Sequence, residues 1–343
     1  MPRRDSWRDW RRFSLPGWVA VLLVAMMLSG CGSQLIVDPG PMARPPQMLG
    51  GHVVTRDGLA LPMRHWSAKG RTSAVVLALH GFNDYSAFIK DAAAYFAERG
   101  IAVYAYDQRG FGAAPFAGRW FETERFLTDA RDITRIIGER HPGVPFYLLG
   151  ESMGGAVVMS MLAETPMEPQ VAGAILSAPA VWGRETMPWY QTSLLWIASN
   201  VAPRMHLTGR GLKIKPSDNI EMLRELGRDP LVIKGANVAA IRGLVDLMDL
   251  ALASAPRFRS RALILYGAKD EIVQAAPTRT MMARLPDDAK EPPRIAVYDA
   301  GYHMLLRDLQ AEDVWRDIVS WIDAPMAPLP SGADKASAGF FKK

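Results

Sequence analysis

The stretch Pro145-Phe146-Tyr147-Leu148-Leu149-Gly150-Glu151-Ser152-Met153-Gly154-Gly155 decides how this chain is read. Pro145–Leu149 is a short run with no polar face, which suits a strand buried on both sides in a parallel sheet. From Met153 to Glu164 the sequence is helix-forming. Between the two lies Gly-x-Ser-x-Gly, which puts Ser152 on a tight strand-to-helix turn. The residues two before and two after it, Gly150 and Gly154, must be small because strand and helix approach each other there. The Ser152 hydroxyl then projects above the sheet edge at a helix N-terminus. Backbone N–H groups and the helix dipole favour developing negative charge at that point. Ser152 is the candidate nucleophile.

Outward from this turn, apolar strands alternate with helical stretches. The strands are read at Ala74–Leu79, Ile101–Tyr106, Pro145–Leu149, Val171–Leu176, Ala262–Tyr266 and Arg294–Tyr298. The helices are read at Ala87–Arg99, Glu122–Arg140, Met153–Glu164, Pro277–Arg284 and Ala311–Ile322. Such alternation implies a mostly parallel, doubly wound α/β sheet. His52–Trp66 reads as a hairpin around the turn pair Asp57-Gly58. One interval breaks the rhythm. Far more residues separate Leu176 from Ala262 than one crossover needs, so a helical cap is inserted at about 181–256, at the strand C-terminal edge where such sheets place their sites. Trp182, Trp189, Tyr190 and Trp196 open this cap, and an apolar, aromatic lid suits an acyl chain or a lipid interface. Met222, Leu223, Leu226, Leu231, Val232 and the run Leu244–Leu252 are expected to pack the cap's own core.

The ends of the chain read differently from its middle. Of the 343 residues, positions 1–30 hold five Arg against two Asp, and positions 326–343 hold three Lys against Asp334. These ends account for the whole net charge of +5, and residues 31–325 balance. No basic stripe is left for nucleic acid, and that class is set aside. Arg3, Arg4, Arg8, Arg11 and Arg12 precede an apolar run, Trp18 to Leu28, which suits a signal peptide and is too short to span a bilayer. It ends in Leu28-Ser29-Gly30-Cys31. Cys31 is the one cysteine of the chain, which excludes an intrachain disulfide and a Cys-based metal cluster. Residues 1–30 are therefore read as a signal peptide. Residues 31–50, with Pro39, Pro41, Pro45 and Pro46, are read as a stiff tether, residues 51–323 as the folded body, and 324–343 as a disordered Pro/Ala/Gly/Ser tail.

A serine needs a base to take its proton, and six His are available. His52 and His65 lie in the N-terminal hairpin, His141 at a helix end and His206 in the cap. His303 follows the last strand, in Gly301-Tyr302-His303. An acid between nucleophile and base in chain order should orient it. Asp270, four residues beyond Tyr266, is the candidate, with Glu271 its rival. Its role is to accept the imidazole N–H and stabilise the imidazolium. His80-Gly81-Phe82 follows the first parallel strand. Backbone N–H groups of Phe82 and Met153 are the candidate oxyanion donors, with His80 and Gly81 supporting the loop. Asp107-Gln108-Arg109-Gly110-Phe111-Gly112 is not a nucleotide motif, since it opens no helix, and is read as a structural turn.

Together, His80-Gly81-Phe82, the Asp107–Gly112 turn, Gly150–Gly155, Tyr266-Gly267-x-x-Asp270 and Gly301-Tyr302-His303 resemble the monoacylglycerol lipase / lysophospholipase group of α/β-hydrolases, which includes serine aminopeptidase-like members. The resemblance spans about residues 51–323. It implies the α/β-hydrolase fold with a helical cap and a serine ester hydrolase acting through Ser152, His303 and Asp270. The implied substrates are monoacylglycerols or lysophospholipids, with no metal or organic cofactor. Two positions depart from the group's usual pattern: Tyr85-Ser86 after the oxyanion loop, and Glu151 before the nucleophile. Acyltransferase, thioesterase and serine aminopeptidase readings use the same triad, and a non-catalytic envelope lipoprotein is the reading from another class. The N-terminal pattern resembles a bacterial lipobox. It implies lipidation at Cys31, membrane attachment through that anchor and, with Gly32 rather than Asp next, the outer membrane of a Gram-negative cell envelope.

Overall fold

The computed structural model describes residues 36–340 apart from 39, 165–170, 210, 212–213 and 287–290. The segment read as a signal peptide, and Cys31, lie outside the described residues. The strands are β1 (Gln47–Leu49), β2 (His52–Val54), β3 (Ala60–Trp66), β4 (Ala74–Leu79), β5 (Ile101–Tyr106), β6 (Phe146–Glu151), β7 (Val171–Ser177), β8 (Ala262–Gly267) and β9 (Arg294–Tyr298). They form one sheet of nine strands in the order β9-β8-β7-β6-β4-β5-β3-β2-β1. β9 through β5 run parallel, and the hairpin strands join antiparallel at β5. The helices are α1 (Lys90–Ala97), α2 (Thr123–Arg140), α3 (Met153–Glu164), α4 (Trp189–Val201), α5 (Ile220–Arg228), α6 (Val238–Ser254), α7 (Ala275–Met282), α8 (Ala311–Asp323) and α9 (Ala333–Phe340).

The wholly apolar central strands are buried on both faces, and their side chains alternate between two cores. In β4, Val75, Leu77 and Leu79 join Phe126, Ile133 and Met159 on the face of α2 and α3. Val76 and Ala78 join Phe96, Ile318 and Trp321 on the face of α1 and α8. The sheet is therefore an α/β sandwich whose six parallel strands, β4 to β9, present their C-terminal ends on one edge. This is the edge where an open α/β sheet forms its crevice.

Three expectations need correction. The tether ends earlier than residue 50. Ile36–Val37 pairs with Trp120–Phe121, and Gln47–Leu49 adds a strand to the hairpin, because its backbone groups find partners on the edge of β2. The tail is not disordered over 324–340. Leu329 and Ala333 are buried in the α1/α8 core, and α9 packs on β9. Arg294 donates to Pro325 O at 3.1 Å and pairs with Asp334. Finally, the cap has little core of its own. α5 buries no residue, so Met222, Leu223 and Leu226 stay half-exposed. Val245, Leu247, Met248, Ala251 and Leu252 of α6 are buried in the core of the body, and α6 packs on α3. Among the described residues no helix is long and apolar enough to cross a membrane.

Candidate active site

Ser152 is held at φ +52°, a left-handed conformation that a non-glycine residue adopts at some strain. Its N–H donates to Ser177 O at 2.9 Å, and its carbonyl accepts the Ala156 N–H at 3.0 Å, so strand and helix both grip the turn. The two flanking glycines are required by contact. A Cβ on Gly150 would lie 2.4 Å from Gly154 O, and one on Gly154 would lie 2.1 Å from Leu79 O. Ser152 is half-buried, facing the sheet edge, and Met153 is the first residue of α3.

The loops after β8 and β9 lie side by side. Ala268 N–H donates to Tyr298 O, and Lys269 N–H to Gly301 O, each at 2.9 Å. A Cβ on Gly267 would be 2.2 Å from Tyr302 O, so glycine is what lets these loops touch. The contact brings Asp270 Oδ2 within 2.8 Å of His303 Nδ1. Asp270 Oδ1 accepts the N–H groups of Ile272 at 2.8 Å and Val273 at 2.9 Å, which fixes the orientation of the carboxylate and leaves Oδ2 for the imidazole. Both side chains are buried. Burial alone would push the His303 imidazole down, but the Asp270 charge and hydrogen bond outweigh it and raise the group above its ordinary 6.5. The rival acid, Glu271, is turned elsewhere and accepts the Lys215 N–H at 2.7 Å.

The loop after β4 crosses above Ser152, and a Cβ on Gly81 would sit 3.4 Å from the Ser152 Cβ. His80 is fully buried beneath it. Its ring bridges two loops: Nδ1 lies 2.8 Å from Gly81 O, and Nε2 accepts the Gln108 N–H at 3.0 Å. Burial pushes this imidazole down, so it stays neutral with the proton on Nδ1. Phe82 packs edge-on against Phe111, with ring centroids 5.5 Å apart. The Asp107–Gly112 segment is a turn, held by Ser86 and Ala113 N–H groups donating to the Asp107 carboxylate at 2.9 and 2.8 Å.

Sequence reasoning missed the charged layer beneath these loops. Arg307 pairs with Asp84 and Glu151, each at 2.7 Å, with all three side chains buried. Glu151 shows in the sequence only as a departure from a pattern, and nothing local connects positions 84, 151 and 307. The cap entry is also fixed by charge. The Arg184 N–H donates to Asp249 at 2.6 Å and its guanidinium pairs with Asp246 at 2.6 Å. Beyond it, α4 turns Leu195 and Ser199 inward but leaves Trp189, Tyr190, Leu194, Trp196, Ile197 and Val201 in solvent. The helix carries no charged residue.

Residues 70–310 match the hydrolase family described as Serine aminopeptidase, S33. The chain is 27% identical to the monoacylglycerol lipase of Mycolicibacterium smegmatis over 261 residues, covering 75% of this chain and 90% of that one. It is 26% identical to human monoglyceride lipase over 283 residues, covering 79% and 89%. Among solved structures, a soluble variant of Saccharomyces cerevisiae monoglyceride lipase aligns with a TM-score of 0.65 at 19% identity, covering 81% of this chain and 94% of that one. The likeness to solved structures concerns the fold: an α/β-hydrolase with a largely parallel central sheet.

Proposed function

Because this chain belongs to the serine aminopeptidase S33 family of α/β-hydrolases, a monoglyceride lipase-like group of serine hydrolases, we propose that it hydrolyses single-chain lipid esters, monoacylglycerols first and lysophospholipids second. The observation that carries the catalytic part is the 2.8 Å contact of Asp270 with His303, on the same sheet edge as the strained turn of Ser152. His303 Nε2 takes the Ser152 proton as Oγ attacks the ester carbonyl. Asp270 holds the tautomer and stabilises the imidazolium that forms. The tetrahedral oxyanion is bound by the N–H groups of Phe82 and Met153, the second sitting at the N-terminus of α3. Collapse expels the alcohol with a proton from His303, and water deacylates the enzyme by the same steps in reverse order of roles.

The lipid part of the proposal is supported by α4. A helix with two Trp, one Tyr and three aliphatic residues exposed, and no charge, is a poor surface for water and a good one for the lipid interface. The proposed occupant of that face is the lipid–water interface that holds the substrate. Lipidation at Cys31 and attachment to a Gram-negative cell envelope, with sorting to the outer membrane, complete the proposal and agree with a membrane-borne substrate.

The test is a matched panel: p-nitrophenyl esters from short to long chain, monoacylglycerol, lysophosphatidylcholine and an aminoacyl anilide, each beside Ser152→Ala. Turnover of the glycerol or lyso-lipid esters that vanishes in the variant supports the proposal. Cleavage of the anilide alone moves the activity to peptide bonds. A wild-type protein that neither turns over any ester nor reacts with a fluorophosphonate overturns it.

A further inference from the structure

One guanidinium joins three loops that surround Ser152. Arg307 lies four residues beyond His303, and its N–H donates to Met304 O at 2.8 Å, so it belongs to the turn that carries the His303 loop. Its Nη1 is 2.7 Å from Asp84 Oδ2, and its Nη2 is 2.7 Å from Glu151 Oε1. Asp84 closes the turn of the oxyanion loop: its N–H donates to Gly81 O at 3.2 Å, and its Oδ1 accepts the Tyr85 N–H at 2.8 Å. Glu151 is the last residue of β6 and directly precedes Ser152. Asp308, next in the chain, accepts the Tyr302 N–H at 2.7 Å, which closes the His303 loop from its other side.

We infer that Arg307 is a positioning residue: it sets the His303 loop, the oxyanion turn and the Ser152 turn relative to one another. The inference rests on the assignment of Ser152 and His303 above. Stability alone accounts poorly for this arrangement. Replacing a buried ion pair by apolar side chains is often neutral or stabilising. This cluster also leaves Glu151 Oε2 and Arg307 Nε buried with no partner among the described residues. Burial pushes the Glu151 carboxyl up, and the Arg307 charge opposes that push. What a planar guanidinium provides, and a point charge does not, is two directed contacts at a fixed angle. Those contacts fix three loops whose relative placement decides whether donors meet the developing oxyanion.

The experiment compares full-length wild type, Arg307→Lys, Glu151→Gln and the double variant on p-nitrophenyl butyrate, with active sites counted by a fluorophosphonate. Lys keeps the charge but cannot span both carboxylates, and Gln keeps the shape but removes the charge. Each single variant is expected to lower kcat per labelled site by roughly 10- to 100-fold, the scale of a misplacement of about 1 Å. KM should stay within about twofold, and the double variant should be no slower than the worse single, as groups acting as a unit behave. If Arg307→Lys does not fold, Glu151→Gln and Asp84→Asn carry the same comparison. Folded variants with a lowered Tm but wild-type kcat per site would reduce Arg307 to a structural ion pair. Losses that multiply in the double variant would also overturn the inference. Failure of the underlying assignment reads differently: Ser152→Ala would keep wild-type turnover, and the inference would fall with it.

Discussion

Replacing Trp189 and Trp196 by alanine should separate the lipid interface from the chemistry. The two residues are 79% and 69% exposed. Taking about 200 Å² for each indole side chain, they leave roughly 300 Å² of mostly apolar surface in water. At about 25 cal/mol per Å², removing all of it from water would be worth roughly 7 kcal/mol. An interfacial helix immerses one face only, and alanine recovers part of the gain. About half the total, roughly 3 kcal/mol, is therefore the expected loss, on the order of 10²-fold in partitioning. The assay is sedimentation with anionic and neutral vesicles, using a chain that begins after Cys31 so that no lipid anchor contributes. Monoacylglycerol hydrolysis in the same vesicles should fall with binding. Hydrolysis of soluble p-nitrophenyl butyrate and the Tm should not change, because neither side chain packs on the body. Vesicle binding within threefold of wild type would refute the interfacial role of α4. A parallel fall in soluble ester turnover would refute the claim that these residues stand apart from the catalytic edge.

The remaining predictions concern the site itself. Asp270→Asn should lower kcat by about 10⁴-fold with little change in KM, because the amide turns the imidazole to the wrong tautomer; steady-state kinetics on a short ester decide it. His303 must be neutral to act as base, and its environment raises it above 6.5. The acid limb of kcat/KM should therefore lie above pH 6.5, activity being lost as pH falls through the raised value, and a limb below it would contradict the Asp270 contact. Gly154→Ala forces a Cβ within 2.1 Å of Leu79 O, a backbone atom in the central sheet that cannot move aside. It should lower the Tm by several degrees and abolish Ser152 labelling, which thermal denaturation and a fluorophosphonate probe would show.

Most of the architecture was legible because its signals are local. β4 and β5 were read with the boundaries the structure has, since strands buried on both faces carry continuous apolar runs that polar residues end sharply. Ser152, Asp270 and His303 were nominated by spacing after strands, and the fold brings the last two together at 2.8 Å because β8 and β9 are neighbours. The Arg307 cluster could not be read in this way. Its three members are separated by 67 and 156 positions, and only the packing of three loops relates them. The cap was misread for a related reason. The apolar run in α6 was attributed to a cap core, but the pattern says only that one face is buried, not against which partner.

The tail shows where composition misleads. Residues 324–343 look like a low-complexity end, and small residues with proline do favour disorder in isolation. The sheet, however, ends at β9, and the flank of a last strand needs cover. Arg294 on that strand reaches the carbonyls of Pro325 and Ala327 and the Asp334 carboxylate. Asp317 on α8 accepts the Ser331 N–H at 3.0 Å and the Tyr298 hydroxyl at 2.9 Å, and Phe340 reaches the Tyr266 ring with centroids 5.8 Å apart. Apart from the Tyr298–Asp317 bond, which fixes the acceptor, each contact pairs a tail residue with a partner already held by the fold, so the ordering entropy is offset by the body rather than by the segment's own pattern. A chain ending at Asp323 should therefore expose Leu329's former site and leave the Arg294 guanidinium without its carboxylate. It should melt several degrees lower, whereas a truly disordered tail could be removed with no change in Tm.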